Sequence, residues 1–343
     1  MKKSLFALAV LGAFSGMAAA QSSVTLFGIV DANVRWTDNN GTKLTELGNS
    51  GLASSRLGFR GVEDLGGGLK AGFWLESAVN NDDGTSNATR FWHRRSTISL
   101  MGGFGEVRLG RDLVPTFTGY ADFDPFGTNG VADVGRLHTN LASLPAASRP
   151  AVDTLVRADN MVSYFLPSTL GGFYGQVSVA AGEGTVGKKY IGGRLGYSAG
   201  PLNVGGFYGQ TESTGDEDFK TGGIAAMYDF GAFKLNGIVS ENKFLSAKER
   251  HFTFGGSVPV GAGLIRASYT KVQGRGSIDG SDADQFALGY VHNLSKRTAV
   301  YTTVAIIKND GNATYSVGGR NTALVRGGED DSKGFELGVR HSF

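Results

Sequence analysis

The stretch VTLFGIVDANVRW, residues 24–36, alternates with a strict period of two. Its even positions, Val24, Leu26, Gly28, Val30, Ala32, Val34 and Trp36, are all apolar. Its odd positions run Thr25, Phe27, Ile29, Asp31, Asn33 and Arg35, and turn polar toward the far end. Successive side chains on a strand point to opposite faces, so this is a strand with one apolar face and one wetter face. Soluble strands usually hold about five or six residues. A tilted strand that crosses a bilayer as part of a barrel needs about 9–11, and residues 24–36 supply that length. Trp36 ends the apolar face where a membrane interface would lie.

Outward from that stretch the pattern repeats. Leu57, Phe59 and Gly61 oppose Arg56, Gly58 and Arg60; after the turn at residues 64–68, Leu69, Ala71, Phe73 and Leu75 oppose Lys70, Trp74 and Glu76. Two amphipathic strands joined by a short glycine turn form a hairpin. Residues 90–101 and 105–111 make the next one, and alternation resumes at 157–166, with Ala158, Val162, Tyr164 and Leu166 as lipid-facing candidates. Further strands are expected at 173–179, 189–198, 202–210, 219–229, 233–241, 249–258, 264–272, 284–292, 298–307 and 333–343. The total is about sixteen, with short turns on one side and longer polar loops (80–89, 211–218, 242–248, 273–283, 308–332) on the other. In the last strand Phe335, Leu337, Val339, His341 and Phe343 alternate with Glu336, Gly338, Arg340 and Ser342, and the chain ends on the aromatic. Such a strand suits a barrel that closes its last strand on its first and so leaves no edge.

Composition agrees with an exported all-β chain. Lys2 and Lys3 precede an apolar run from Leu5 to Met17, and Ala18, Ala19 and Ala20 supply small residues for cleavage. A signal peptide at 1–20 and a single barrel domain at 21–343 are therefore expected. Without Lys2 and Lys3 the basic count falls from 33 to 31 and equals the acidic count, which gives no support for a nucleic-acid partner. No cysteine is present, which excludes disulfides, thiol catalysis and Cys-based metal sites. Glycine, at 54 residues, is about twice its usual share and sits among the alternating segments, where curved strands bend and pack closely. Beyond the signal no run of about 18 apolar residues occurs, which excludes helical spans and leaves a membrane barrel open.

One stretch breaks the pattern. Residues 113–155 hold four of the seven prolines and mix aromatic, acidic and small residues without a period of two. Loops this long are usually functional or disordered, and Tyr120, Phe123, Phe126 and Leu141 give this one material to pack with. The expectation is a loop that folds into the barrel and narrows its pore.

Several segments carry a family resemblance. SVTLFGIVDANV, SRLGFRGVEDLGGGLKAGFWLES, GRD before the long loop, DPFG within it, RADNMVSYFLP after it, LSKRT and the terminal Phe resemble the general porins of β-proteobacteria, in order along the mature chain. The resemblance implies a sixteen-stranded antiparallel transmembrane β-barrel whose long third loop enters the lumen. It also implies a homotrimer in the outer membrane, among its lipid and lipopolysaccharide, that passes small hydrophilic solutes. No cofactor is implied.

A pore makes no bonds; it needs a narrow, charged passage. Arginine rings favour anions and acidic rings favour cations. By parity Arg56, Arg60 and Arg95 point inward, and Arg157 opens the strand after the long loop. Arg94 has lipid-side parity and needs irregular backbone to turn inward. In anion-preferring members of the resembled family, arginines from the second, fourth and sixth strand regions cluster, and Arg56, the Arg94/Arg95 pair and Arg157 match those positions. Across the gap the long loop offers Asp122, Asp124 and Asp133. Asp before Pro also caps turns, so Asp122 and Asp124 carry a structural alternative. A Ca²⁺ site there lacks any EF-hand spacing. Enzyme signatures are missing: the five histidines are scattered, with no H-E-x-x-H and no G-x-S-x-G. Weak anion selectivity is the leading expectation. Its rivals are a loop-borne surface-binding barrel, a substrate-specific channel with an aromatic track, and a soluble sandwich.

Overall fold

In the computed structural model the described residues are 23–87, 89–320, 325 and 331–343. The expected signal at 1–20, and residues 321–324 and 326–330 of the expected 308–332 loop, lie outside them. The strands are β1 (Ser23–Asn39), β2 (Thr42–Asn49), β3 (Arg56–Gly66), β4 (Leu69–Ala78), β5 (Arg95–Gly102), β6 (Gly105–Leu113), β7 (Arg157–Phe165), β8 (Phe173–Ala180) and β9 (Tyr190–Ala199). They continue as β10 (Leu202–Glu212), β11 (Asp218–Asp229), β12 (Lys234–Phe244), β13 (Ala247–Val260), β14 (Gly263–Arg275), β15 (Ala283–Asn293), β16 (Thr298–Asn309) and β17 (Asp331–Ser342).

The sheet closes on itself. β17 returns antiparallel to β1 from Ile29↔Ser342 to Asn39↔Ser332. One step beyond, Gly28 N–H donates to the Phe343 carbonyl at 3.1 Å and Phe343 N–H to the Gly28 carbonyl at 3.0 Å. The terminal aromatic therefore belongs to the seam, as its place at the end of an alternating strand suggested.

β2 and β3 share one place in the wall. The upper part of β1, from Ala32, pairs with β2, and its lower part, to Ile29, pairs with β3. The circuit thus has sixteen positions. The segment Thr42–Asn49 is absent from the strands expected above, because Leu44 and Leu47 stand three apart and break the period of two. The break at residues 50–55 is organised by Asp31. Its carboxylate accepts the backbone N–H groups of Gly51, Leu52 and Ala53 at 3.2, 2.8 and 2.7 Å, and the Tyr301 hydroxyl also donates to it.

Outside the barrel, apolar side chains face the lipid: Leu26 and Val30 on β1, Ile98 on β5, Phe254 on β13 and Leu337 on β17 are all exposed. Gly66, Gly67 and Gly68 have φ of +85°, +62° and +83°, left-handed conformations that only glycine adopts in succession without strain, and they turn β3 tightly into β4. Two expectations need correction. β5 starts at Arg95 rather than residue 90, so residues 90–94 belong to the loop above it. Ala158 is fully buried against Val114, Met161 and Tyr190 instead of facing lipid. The register between β6 and β7 shifts beside Gly110 (φ +123°), and Asn160 on β7 is left-handed at +52°, so the alternation changes phase there.

The core lies inside the barrel. Between β6 and β7 the chain turns into the lumen as α1 (Pro115–Ala121) and, further on, α2 (Val134–Thr139). Tyr120 and Phe123 pack on Phe207, Ala225 and Ile238 of the wall. Phe126, Val131 and Leu137 pack on Val272, Ala287 and Ile307. Leu141 and Leu144 pack on Phe219, Phe244 and Ala247. The long third external loop therefore lines the inside of the barrel.

Asp31→Ala leaves three N–H donors and a tyrosine hydroxyl without their acceptor, at a cost of about 1–3 kcal/mol for each group that stays buried. The folded barrel of this variant is expected to convert to its slow-migrating unfolded form at a clearly lower temperature in SDS electrophoresis. An unchanged conversion temperature would show that the residue 50–55 break holds without it.

Candidate functional site at the barrel constriction

The long loop covers one side of the lumen and leaves the other open. Its packing runs from β7 to β17, so the inner face of β3 to β6 stays uncovered. The loop's tip reaches back toward that face: the Ser54 hydroxyl, two residues before Arg56, donates to the Asn129 side chain at 2.9 Å.

On the open wall the sequence brings arginines together around one acid. Glu76 on β4 is buried, and its Oε1 accepts from Arg94 Nε at 2.6 Å and from Arg56 Nη1 at 3.4 Å. Its Oε2 accepts from Trp74 Nε1 at 3.2 Å. Arg56 Nε also donates to the Ser54 carbonyl at 2.8 Å, which fixes its guanidinium across the top of β3. Arg157 Nε donates to the Arg94 carbonyl at 2.8 Å and so joins the group from β7. Arg94 achieves this against its parity because it precedes β5, where the backbone is irregular. Arg56, Arg94 and Arg157 against Glu76 leave a formal excess of two positive charges. The effect is visible at His93 in the same loop. Burial holds its imidazole below the usual value, and Arg94, Arg157 and Arg111 push it further in that direction.

Below this group lies a second tier. Arg95 stands 4.4 Å from the Trp74 ring centre and donates to the Thr97 hydroxyl at 3.1 Å. Arg60 lies over Trp74 and Phe27 at 5.1 and 5.4 Å, and those two rings meet edge to face. Trp74 thus sits between two guanidiniums, an attractive arrangement for its π faces. Asp112 links Arg95, at 3.5 Å, to Arg108, at 2.6 Å. Phe27 and Trp74 belong to this tier and Tyr174 to the far wall, beneath Arg194. The inward aromatics therefore brace arginines.

The three loop aspartates separate. Asp122 is the exposed one, and Arg194 of β9 donates to it. Asp124 is a correction to the acidic wall expected above: it is buried, and its two oxygens accept from Phe126 N–H at 3.0 Å and Thr128 N–H at 2.7 Å. It is the turn cap that its position before Pro125 allowed. Burial, ahead of all other influences, pushes its carboxyl up to about 7. Asp133 caps α2 by accepting from Gly135 N–H at 2.8 Å. Arg266 braces the same turn from the wall, 4.6 Å from the Phe126 ring and with a hydrogen bond to the Pro125 carbonyl. Among the described residues no group of three or more His, Asp or Glu is placed to hold a metal ion.

Strand parity therefore located Arg56, Arg60 and Arg95, but Glu76, Arg108 and Arg194 were not singled out. Glu76 was legible as inward-facing beside Trp74; that Arg56 and Arg94 would converge on it, with Arg157 tied to the Arg94 carbonyl, was not.

Comparison with known proteins agrees with this architecture. The sequence pattern described as Gram-negative porin matches residues 7–312. Outer membrane porin protein 32 of Delftia acidovorans is 44% identical over the whole of both chains. The solved anion-selective porin from Comamonas acidovorans superposes with a TM-score of 0.85 at 41% identity, covering 94% of this chain and all of that one. Outer-membrane expressed OmpT of Vibrio cholerae, at 16% identity and a TM-score of 0.67 over 94% of this chain and 98% of its own, shares the fold.

The folded chain keeps the Asp124 proton up to about pH 7, whereas an unfolded aspartate loses it near 4. A raised folded value contributes stability in full below about pH 4, and that contribution disappears as pH climbs through about 7. Hydrogen exchange of residues 122–130 is expected to quicken over this window, and Asp124→Asn is expected to flatten that dependence. A pH profile unchanged by the substitution would place the titration elsewhere.

Proposed function

The chain belongs to the Gram-negative porin family, and we propose that its channel passes anions in preference to cations. The protein is an outer-membrane porin whose water-filled barrel lets small hydrophilic solutes diffuse. The preference rests on one observation, the gathering of Arg56 and Arg94 about the single carboxylate of Glu76, with Arg157 tied to the Arg94 carbonyl. Low-dielectric walls focus such a field and raise the local concentration of counter-ions. Arg60, which makes no ion pair among the described residues, extends positive charge along the same wall, Arg95 and Arg108 share Asp112, and the exposed carboxylate of Asp122, paired with Arg194, stands on the loop across the gap. Solutes entering this gap are drawn to one wall and turned by the transverse field. The name of the Comamonas porin, anion-selective, supports the same sign.

In this proposal the barrel assembles as a homotrimer among outer-membrane lipid and lipopolysaccharide, reached by cleavage of the segment 1–20. Passage by diffusion needs no catalytic group and no cofactor, and we assign none.

Reconstituted in a planar bilayer under a KCl gradient, the protein is expected to give stepwise conductance with a reversal potential of anionic sign. Arg56→Gln with Arg157→Gln is expected to roughly halve the anion-to-cation permeability ratio in a barrel that still conducts. Glu76→Gln removes the acid from the cluster and is expected to move the reversal potential further toward anions. Cation preference in the unsubstituted protein would overturn the selectivity.

A further inference from the structure

Where the long loop meets the wall, three rings form a column. Tyr120 of α1 lies on His138 of α2 with ring centres 4.2 Å apart and planes within 10°. His138 lies in turn on His251 of β13, also at 4.2 Å. All three side chains are buried. The column joins the two helices of the loop to each other and to the barrel. Wall side chains also hold the end of α2: Asn242 donates to the His138 carbonyl at 2.8 Å and His251 to the Leu137 carbonyl at 3.1 Å.

These bonds fix where the protons sit. A carbonyl only accepts, so His251 Nε2 carries the hydrogen, and Nδ1 of that neutral ring is a lone pair. Ser240 Oγ, at 3.5 Å, donates to it. The hydroxyl has a single proton, so toward His138 Nδ1, at 3.2 Å, its oxygen accepts. His138 therefore carries its hydrogen on Nδ1 and presents Nε2 as a bare lone pair. Burial, with His251 acting in the same direction, holds the His138 imidazole well below its usual value and keeps the ring neutral. Among the described residues neither His138 Nε2 nor the Tyr120 hydroxyl has a hydrogen-bond partner, and both atoms are buried. Unpaired groups of this kind are costly.

Both side chains line one cavity of about 10 Å³ between the loop and the wall. That is room for about one water molecule. The threonines and the amide around it are already paired: Thr116 with Tyr190 at 3.2 Å, Thr154 with Thr211 at 2.6 Å, Thr221 with Asn242 at 2.9 Å, and Thr139 with the Gly135 carbonyl at 2.7 Å. No charged side chain lines the cavity. An ion placed there would lack a counter-charge in a buried site. What fits is a small neutral molecule that accepts from a phenol and donates to an imidazole.

We propose that this cavity is a binding site for a single water, which accepts from the Tyr120 hydroxyl, donates to His138 Nε2 and so ties α1 to α2. Its second hydrogen has the free lone pairs of the threonine hydroxyls to meet. Tyr120 and His138 are then positioning residues: they act on the pore through the loop that narrows it. The site rests on the loop's packing against the wall and is independent of the ion preference.

The test uses the full chain refolded in detergent at neutral pH. Its crystal structure is expected to show one peak that refines as water, within hydrogen-bond distance of both Tyr120 Oη and His138 Nε2. Tyr120→Phe keeps the ring column and is expected to lose that peak. In nitrogen NMR of histidine-labelled protein, His138, assigned by its loss in His138→Gln, is expected as the Nδ1–H tautomer and His251 as the Nε2–H tautomer. In a planar bilayer Tyr120→Phe is expected to raise open-channel current noise about twofold, as a loop with one tie fewer opens locally more often, at an unchanged reversal potential. A cavity without density, an anomalous peak there after a zinc soak, or a hydrogen on His138 Nε2 would each overturn the water. Unchanged noise would overturn its hold on the loop. Should the variants fail to fold, the density in the unsubstituted protein decides alone. A barrel that holds the water and never conducts overturns the channel and leaves the site standing.

Discussion

Every part of this structure depends on a backbone that has no water to bond with. Inside hydrocarbon an unpaired N–H or C=O costs several kcal/mol, so a sheet is tolerated there only if its two edges meet. The meeting of β1 with β17, extended to Gly28 and Phe343, supplies that condition. Closure also sorts the side chains. Once the sheet is a cylinder, one parity faces lipid and the other faces an enclosed space, and the alternation of residues 24–36 acquires two different solvents.

A cylinder of sixteen strand positions is too wide for wall side chains alone to fill, and the long third loop occupies the difference. Its aromatic and aliphatic residues bury themselves against the inner wall, so buried apolar clusters form around a segment that belongs to no strand. Because the loop is held along one side, the passage is asymmetric. Apolar packing claims the wall from β7 to β17, and charge is left to the wall from β3 to β6. The arginine cluster is in this sense a consequence of where the loop found its hydrophobic partners.

Much of this was legible along the chain and some was not. The hairpins, the closing aromatic strand, the entry of residues 113–155 into the barrel and the inward parity of Arg56, Arg60 and Arg95 all follow from a period of two and from turn chemistry. The strand Thr42–Asn49 was missed because its leucines stand out of phase, and it exists because Asp31 pins the kink that joins it to β3. Ala158 was assigned to lipid because a change of phase at Asn160 leaves little trace in composition. Asp124 was placed on the acidic wall beside Asp122, although only one of the two carboxylates reaches solvent.

The sequence by itself determined the architecture, the membrane setting and the inward parity of Arg56, Arg60 and Arg95, since each depends on local alternation or on residue type. Only the tertiary structure decided which arginines meet, that Glu76 holds Arg56 and Arg94, and that Asp124 is spent on a turn. The physical reason is range. Parity propagates from one residue to the next, whereas the contacts of Glu76 join three strand regions and those of the loop span the barrel, distances that no periodicity encodes.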